Sequence, residues 1–304
     1  MRRLPVTLVR ELDIEHHPES RPLHVASGSG LVLVGARLYV AIDDELHIGA
    51  FDMSEHGPGR LLRIFPGELP LEHGSRKAAK PDVESLFCVV DGDGSLLAGV
   101  PSGSTSVRTR GFAVRLDVHG DVRGSMRDID WQPVLLAFAG DDDTETNVEG
   151  ASVTGNELLL FLRGVTGVNR IARLSLEPIR AGLDDGRVDA DALTSIVHIE
   201  LGQLDGVPLG FTDAEALADG RIVVTASAED TVDAYQDGAV VGSVVLLLDP
   251  DLRSVGSWRL DADVGKIEGV VVERVGDEHV DLLLVTDDDD ASSPARLYRA
   301  TLAM

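Results

Sequence analysis

Cysteine is almost missing from this sequence. Cys88 is the single one in 304 residues, so no disulfide framework holds the fold. It lies in the apolar run Ser85-Leu86-Phe87-Cys88-Val89-Val90 and reads as a small buried apolar residue rather than a reactive thiol. Basic residues are also scarce, with 27 Lys and Arg against 52 Asp and Glu and a formal charge of −25. A surface this acidic repels phosphate backbones and anionic lipid heads, so nucleic acid and membranes are poor partners. It favours solubility and attracts cations, and it is also what a generally acidic or salt-adapted proteome produces. Long apolar runs are absent, and nothing approaches the roughly 20 residues that span a bilayer. Met1-Arg2-Arg3-Leu4-Pro5 meets Arg10 and Glu11 before any signal-peptide core can form. A cytoplasmic protein is the expectation, and a monomer.

What is present is a repeat of about 55 to 65 residues. Each copy has a short apolar run, a turn, a second apolar run, a polar loop and an alternating strand. The second runs are Arg37–Ile42, Ser95–Val100, Glu157–Leu162, Arg221–Ala226 and Asp281–Thr286. Turns containing Gly35, Gly92, Gly155, Gly220 and Gly276 precede them, and glycine supplies the positive φ that tight hairpins need. A third strand follows at 46–52, 111–117, 170–176, 242–249 and 295–302. A fourth follows in four copies, around 60–65, 122–130, 195–201 and 254–260. The fifth copy lacks its fourth strand, and Val6–Leu12 is an unassigned strand at the other end of the chain.

The pattern implies an all-β fold, a five-bladed β-propeller whose N-terminal strand closes the last blade. Closing the ring in this way leaves no exposed sheet edge there. All-β folds of this length often form one domain, and residues 1–304 are expected to do so, with a core large enough to need no staple. The alternative is six blades, with an irregular one hidden in 131–147. That segment lacks turn spacing and reads as a short helix and a loop, and 177–194 reads as a second excursion.

Four inner strands open with a glutamate in similar surroundings: Asp82-Val83-Glu84, Asn147-Val148-Glu149, Asp213-Ala214-Glu215 and Lys266-Ile267-Glu268. Residues i and i+2 of a strand face one way. The loop entering the inner strand and the loop after the second strand lie on the same face of a blade. That second set is polar as well: Asp43-Asp44, Ser102–Thr105, Arg163-Gly164, Ser227–Thr231 and Asp287–Asp290. Carboxylates so crowded cannot all stay ionised without a cation, nearby Arg and Lys, or bound protons. Hard oxygen ligands suit Ca²⁺, with Mg²⁺ as the alternative, and Glu84, Glu149, Asp213, Glu215 and Glu268 are the candidate ligands. Lys80, Asp82, Arg110, Asn147, Glu229 and Lys266 are candidate ligand-binding residues. Glu149, Glu215 and Arg163 are the candidate catalytic ones. The competing expectation is that the glutamates pair with Arg and Lys and tie the blades together.

Other signals are weaker. His16-His17 precedes Pro18 in a polar connector, and the remaining histidines have no metal-ligand spacing. Asp287–Asp290 lacks the glycine and glutamate of an EF-hand loop. Ser102-Gly103-Ser104 is no nucleophile elbow, and no phosphate-binding loop is present.

The openings Lys80-Pro81-Asp82-Val83-Glu84, Asn147-Val148-Glu149-Gly150 with Arg163-Gly164, and Phe211-Thr212-Asp213-Ala214-Glu215 resemble an uncharacterised bacterial branch of a broad propeller group. That group includes the SdiA-regulated proteins, the esterase-like-phytase family and the calcium-dependent phosphotriesterase-like lactonases. The resemblance covers most of residues 20–300 through short motifs. It implies a top-face site and a divalent cation, with Glu149, Asn147 and Asp213 matching lactonase ligands. Four glutamates depart from the lactonase pattern. Two expectations follow: a cation-dependent hydrolase of a small ester, lactone or phosphoester, or a non-catalytic propeller that binds a small ligand or a protein partner at its charged rim.

Overall fold

Short runs of Val, Leu and Ile punctuated by glycine turns favour strands over helices. In the computed structural model they form five antiparallel blades built on four strands each, the fourth widened to six by the short strands Arg2–Arg3 and Gln203–Leu204. The structure describes residues 1–19, 21–139, 146–164, 167–230, 239–288 and 290–303. From inside outward, blade one holds Gly28–Val34, Arg37–Ile42, His47–Asp52 and Arg60–Arg63. Blade two holds Val83–Asp91, Gly94–Pro101, Arg110–Leu116 and Val122–Asp130. Blade three holds Val148–Thr154, Glu157–Leu162, Val168–Ser175 and Leu193–Glu200. Blade four holds Val207–Ala216, Ile222–Asp230, Ala239–Leu248 and Ser254–Arg259. Blade five holds Ile267–Val275, His279–Thr286, Arg296–Ala303 and, on its outer edge, Val6–Glu11. Each inner strand packs against the next, and the fifth packs against the first. The fold is a five-bladed β-propeller.

Strand alternation explains the core. In Glu157–Leu162, Leu158, Leu160 and Leu162 pack with blade two, whereas Leu159 and Phe161 pack with blade four. One continuous apolar run therefore serves both neighbours, because successive side chains leave opposite faces. The same logic places one hydrophobic cluster between every adjacent pair of blades. Two-residue hairpins join the two inner strands of blades one, two and three, and Gly35 (φ 60°) and Gly155 (φ 56°) take the left-handed first position.

The ring closes as the sequence suggests, with Val6 opposite Ala300 and Glu11 opposite Arg296. The chain does more than that. Arg2 and Arg3 pair in parallel with Trp258 and Arg259 of blade four. Leu4 is buried with Trp258 and Tyr298. The N-terminal segment thus fastens blade four to blade five. Helix α1 (His73–Ala79) lies between blades one and two, α2 (Gln132–Ala139) between blades two and three, and α3 (Leu176–Asp185) within blade three. Helix α2 occupies the segment weighed as a sixth blade, and the described residues form five. Asp141–Asp143, read as loop, lie outside the described residues. No helix among them is long and apolar enough to cross a membrane.

Candidate functional site

The top face holds a cavity of about 340 Å³, walled by loops and inner-strand starts from all five blades. Lys80, Asp82, Glu84, Asn147, Glu149, Arg163, Glu229, Lys266 and Glu268 all line it. Glu84, Glu149 and Glu268 sit where the inner strands slip register, between Val83 and Ser85, Val148 and Gly150, and Ile267 and Gly269. A bulge leaves its extra residue outside the ladder and re-aims the side chain. Here it turns three glutamates upward.

Blade four corrects the alignment of the motifs. Its slip falls between Phe211 and Asp213, so the counterpart of Glu84 is Thr212. Asp213 and Glu215 lie deeper and do not line the cavity. Asp213 is 2% exposed and accepts hydrogen bonds from Ala214 N (2.8 Å) and Val270 N (2.9 Å), with Leu31 N as a further donor. It thereby ties blades four, five and one together. Its oxygens are committed to backbone donors, which suits a structural role better than the metal ligation expected of it. Glu215 shares its side of the strand and has no hydrogen-bond partner among the described residues, and burial pushes it up to about 8. Arg110 also departs from expectation. It lies outside the cavity, bound to Asp128 (2.5 and 2.9 Å) on the outer strand of blade two, because a long side chain at the start of a third strand reaches the fourth strand more easily than the ring centre.

Glu215 gives a direct stability test. A carboxyl whose folded value exceeds the ordinary one of about 4.3 keeps its proton only in the folded state. Its stabilising effect is complete below that ordinary value and is lost as pH rises through about 8. Glu215→Gln should therefore narrow the stability difference between pH 5 and pH 8 by on the order of 3–4 kcal/mol. Urea unfolding at the two pH values checks this; an unchanged pH slope would contradict it.

The cavity wall contains two charge clusters of similar make-up. In the first, Lys80 Nζ contacts Asp43 and lies 2.7 Å from Asp82 Oδ1, while Arg108 is 2.9 Å from Asp82 Oδ2. Lys80 owes its place to the local sequence. Glu72 caps α1 by accepting from Gly74 N and Ser75 N. Pro81 then forces Lys80 into extended geometry, ψ 145°, which ends the helix. Asp82 follows at φ 60°, a strained position that Asp tolerates better than most residues and that often marks a functional site. Oxygens of Asp43, Asp82 and Glu84 lie within 4.8 Å of one another. Burial pushes Glu84 well above the usual carboxylate range, and Asp82 and Asp43 push it further. Burial works against the Lys80 ammonium, but Asp43 and Asp82 outweigh it and hold its value well up.

In the second cluster, Lys266 Nζ is 2.6 Å from Glu268 Oε1 and 3.1 Å from Glu229 Oε1. Arg163 is 2.8 Å from Glu229 Oε1 and 3.9 Å from Glu149 Oε1. Asn147 Nδ2 donates to Glu149 Oε1 at 2.6 Å. Burial raises Glu229, but Lys266 and Arg163 outweigh it and hold it at about 2. Burial carries Glu149 the other way, to about 8, against the pull of Arg163 and with Glu268 adding repulsion. Each cluster has three carboxyl groups and two cations; in the second the odd one, Glu149, keeps its proton at neutral pH, and in the first burial and its carboxylate neighbours push Glu84 upward.

Several partners in these clusters escaped the sequence reading. Arg76, from α1, lines the cavity and is held by Glu45 at 2.9 Å. Arg108 follows the serine-rich stretch Ser102–Thr105, and Asp43 carries no signal beyond its place in a polar loop. Nothing in a single sequence pairs residue 43 with residue 80.

The divalent cation implied by the family resemblance can be set against this donor set. Asp43, Asp82 and Glu84 offer hard oxygens, as Ca²⁺ prefers. The Lys80 ammonium, however, already stands among them, in the place where a bound cation would balance their charge. A metal would have to move it. The set fits an ammonium as it stands and fits a metal only after rearrangement.

A family model described as "Family of unknown function (DUF6929)" matches residues 24–302. The chain belongs to the DUF6929 family. The DUF6929 match takes in every cavity-lining residue and starts after the N-terminal strand that closes the ring. No curated protein matches the sequence. Among solved structures, an α-L-arabinofuranosidase of Podospora anserina is similar at 9% identity, with 98% of this chain and 97% of that chain covered and a TM-score of 0.52. A β-1,3-galactosidase, BT0265, is similar at 10% identity, with 97% and 60% covered and a TM-score of 0.51. A calcium-binding regucalcin of Agrobacterium tumefaciens matches at 11% identity over 100% and 97% of the two chains, with a TM-score of 0.46. At such identities the first two likenesses concern the fold alone, and the third carries no argument.

Proposed function

We propose that the DUF6929 chain is a hydrolase of a small ester or lactone, with Glu149 as its general acid and Arg163 as the cation that receives developing negative charge. One observation carries the reading. A carboxyl kept protonated to about 8 faces a polar cavity beside a carboxylate held at about 2, with one guanidinium, Arg163, next to both. Environments that push two carboxyls so far apart mark acid and base roles. In this reading water attacks the acyl carbon and the carbon–oxygen bond to the leaving group breaks. Glu149 gives its proton to the leaving oxygen and recovers one from the attacking water, while Arg163 stabilises the oxyanion. Glu229 holds Arg163 in position. A phosphoester is less suited, since nine Asp and Glu, of which Glu149 is protonated, line the cavity with six Lys and Arg, and the remaining surplus repels a phosphate dianion.

The pH profile tests the assignment. Glu149 acts only while protonated, so kcat should be level around neutral pH and fall about tenfold per pH unit above its value near 8. A rate that rises through this range, measured on any accepted ester or lactone, would remove Glu149 as the acid.

Calcium belongs to a second reading, favoured by the grouping of Asp43, Asp82 and Glu84. It expects saturable Ca²⁺ binding to chelator-treated protein near one equivalent, lost in Asp82→Asn. A flat calorimetric titration would dismiss it.

A further inference from the structure

The first charge cluster is incomplete in a way that the second is not. In the second, every carboxyl has a partner: Glu229 and Glu268 have Lys266, and Glu149 has Asn147 and Arg163. In the first, Asp82 has Lys80, Arg108 and Ser102, and Asp43 has Lys80. Glu84 faces the same cavity and has no hydrogen bond or ion pair to any described residue. Its carboxyl stands within 4.8 Å of two other carboxylate groups, an arrangement that water-facing side chains avoid by turning away. A bulge fixes it there.

The cluster also contains its own precedent for what would satisfy it. The Lys80 ammonium contacts Asp43 and Asp82, so these oxygens already receive one alkylammonium and leave the third carboxyl over. The surplus of carboxylates around the cavity and the chain's net charge of −25 both draw small cations towards the site.

We infer that the molecule taken up by the top-face cavity carries a protonated amine, and that Glu84 is the residue that receives it. This rests on the cavity being the substrate site and adds the substrate's class: an amino-substituted ester or lactone, with the ammonium at Glu84 and the acyl group near Arg163 and Glu149. On binding, the Glu84 carboxyl, left over by Lys80, pairs with the ammonium. Glu84 is then a specificity residue, and Glu149 remains the one that touches the reacting atoms.

Two measurements test this separately from turnover. The first is calorimetric titration of the protein with n-butylammonium, which has no bond to hydrolyse. Saturable binding is expected. Glu84→Gln should bind at least tenfold more weakly, while Arg110→Gln, altered outside the cavity, should bind as the parent does. The second compares hydrolysis of ethyl 4-aminobutyrate with ethyl butyrate. The amine should raise kcat/KM at least tenfold in the parent and give no advantage in Glu84→Gln. Circular dichroism confirms that Glu84→Gln is folded. If n-butylammonium does not bind, binds equally well to Glu84→Gln, or is displaced stoichiometrically by Ca²⁺, the inference is wrong. If it binds as described but neither ester is hydrolysed, the amine site stands and the hydrolase reading fails.

Discussion

Glu149→Gln should lower turnover of an accepted ester or lactone by about 10²–10⁴-fold, the usual range for a lost general acid, and leave the fold intact. The substitution is close to isosteric. The side-chain carbonyl of Gln can still accept from Asn147 Nδ2, which now donates to Glu149 Oε1 at 2.6 Å. No buried charge is stranded, because Glu149 is already neutral below about 8. What disappears is the transferable proton. The loss should fall on kcat more than on KM, since the proton matters only as the bond to the leaving oxygen breaks. The remaining activity should lose the downturn in rate above pH 8. Equal kcat in parent and variant would show that the acid lies elsewhere.

The second large effect is on stability. Lys266→Met should destabilise the protein by about 3–5 kcal/mol, the cost of breaking a buried ion pair from one side. Lys266 Nζ serves Glu268 and Glu229 together, and both glutamates are largely buried. Removing the ammonium leaves two carboxylates against Arg163 alone. The sign of the pH effect follows. Glu229 is held at about 2, so its stabilising contribution is present above the ordinary carboxylate value and is lost only as pH falls through about 2. Without Lys266 that value rises, and the two glutamates favour the folded state only when protonated. The deficit against the parent should therefore be smaller at pH 5 than at pH 8. Adding Glu268→Gln to the variant should recover part of it, since one uncompensated charge is removed. Urea midpoints of the two variants and the parent at both pH values measure this; a deficit below about 1 kcal/mol would place the pair among weak surface bridges.

The fold was open to sequence reasoning because the blades repeat. Runs such as Leu158-Leu159-Leu160-Phe161 and turns such as Gly155-Asn156 recur at matching positions, and the unpaired strand at each end of the chain demands closure. Arg2 and Arg3 on blade four carry no such signal, because a two-residue parallel pairing leaves no period. The site was readable only in part. The glutamates at 84, 149 and 268 shared their place because the bulge recurs at each. The Asp213-x-Glu215 spelling imitated the same motif three residues too late, since hydrogen-bond register, not wording, decides which residue reaches the rim. Arg110 was grouped with the rim by strand counting, which gives the face of a blade but not the radius. Arg76 and Arg108 were passed over because ion pairs between separate loops depend on the closed ring. Charge balance was legible as a necessity, while its solution was not: Lys80, Arg108, Lys266 and Arg163 supply the cations, and a proton on Glu149 supplies part of the rest.

The measurement closest to the centre of this account is the titration of Glu149 itself, followed by carbon-13 NMR of the side-chain carboxyl with Glu149→Gln to assign the signal. The account predicts a carboxylic acid that is still protonated at pH 7 and loses its proton near 8. A signal that titrates at the ordinary glutamate value of about 4.3 would contradict it, and would leave the cavity with an ionised carboxylate and no acid.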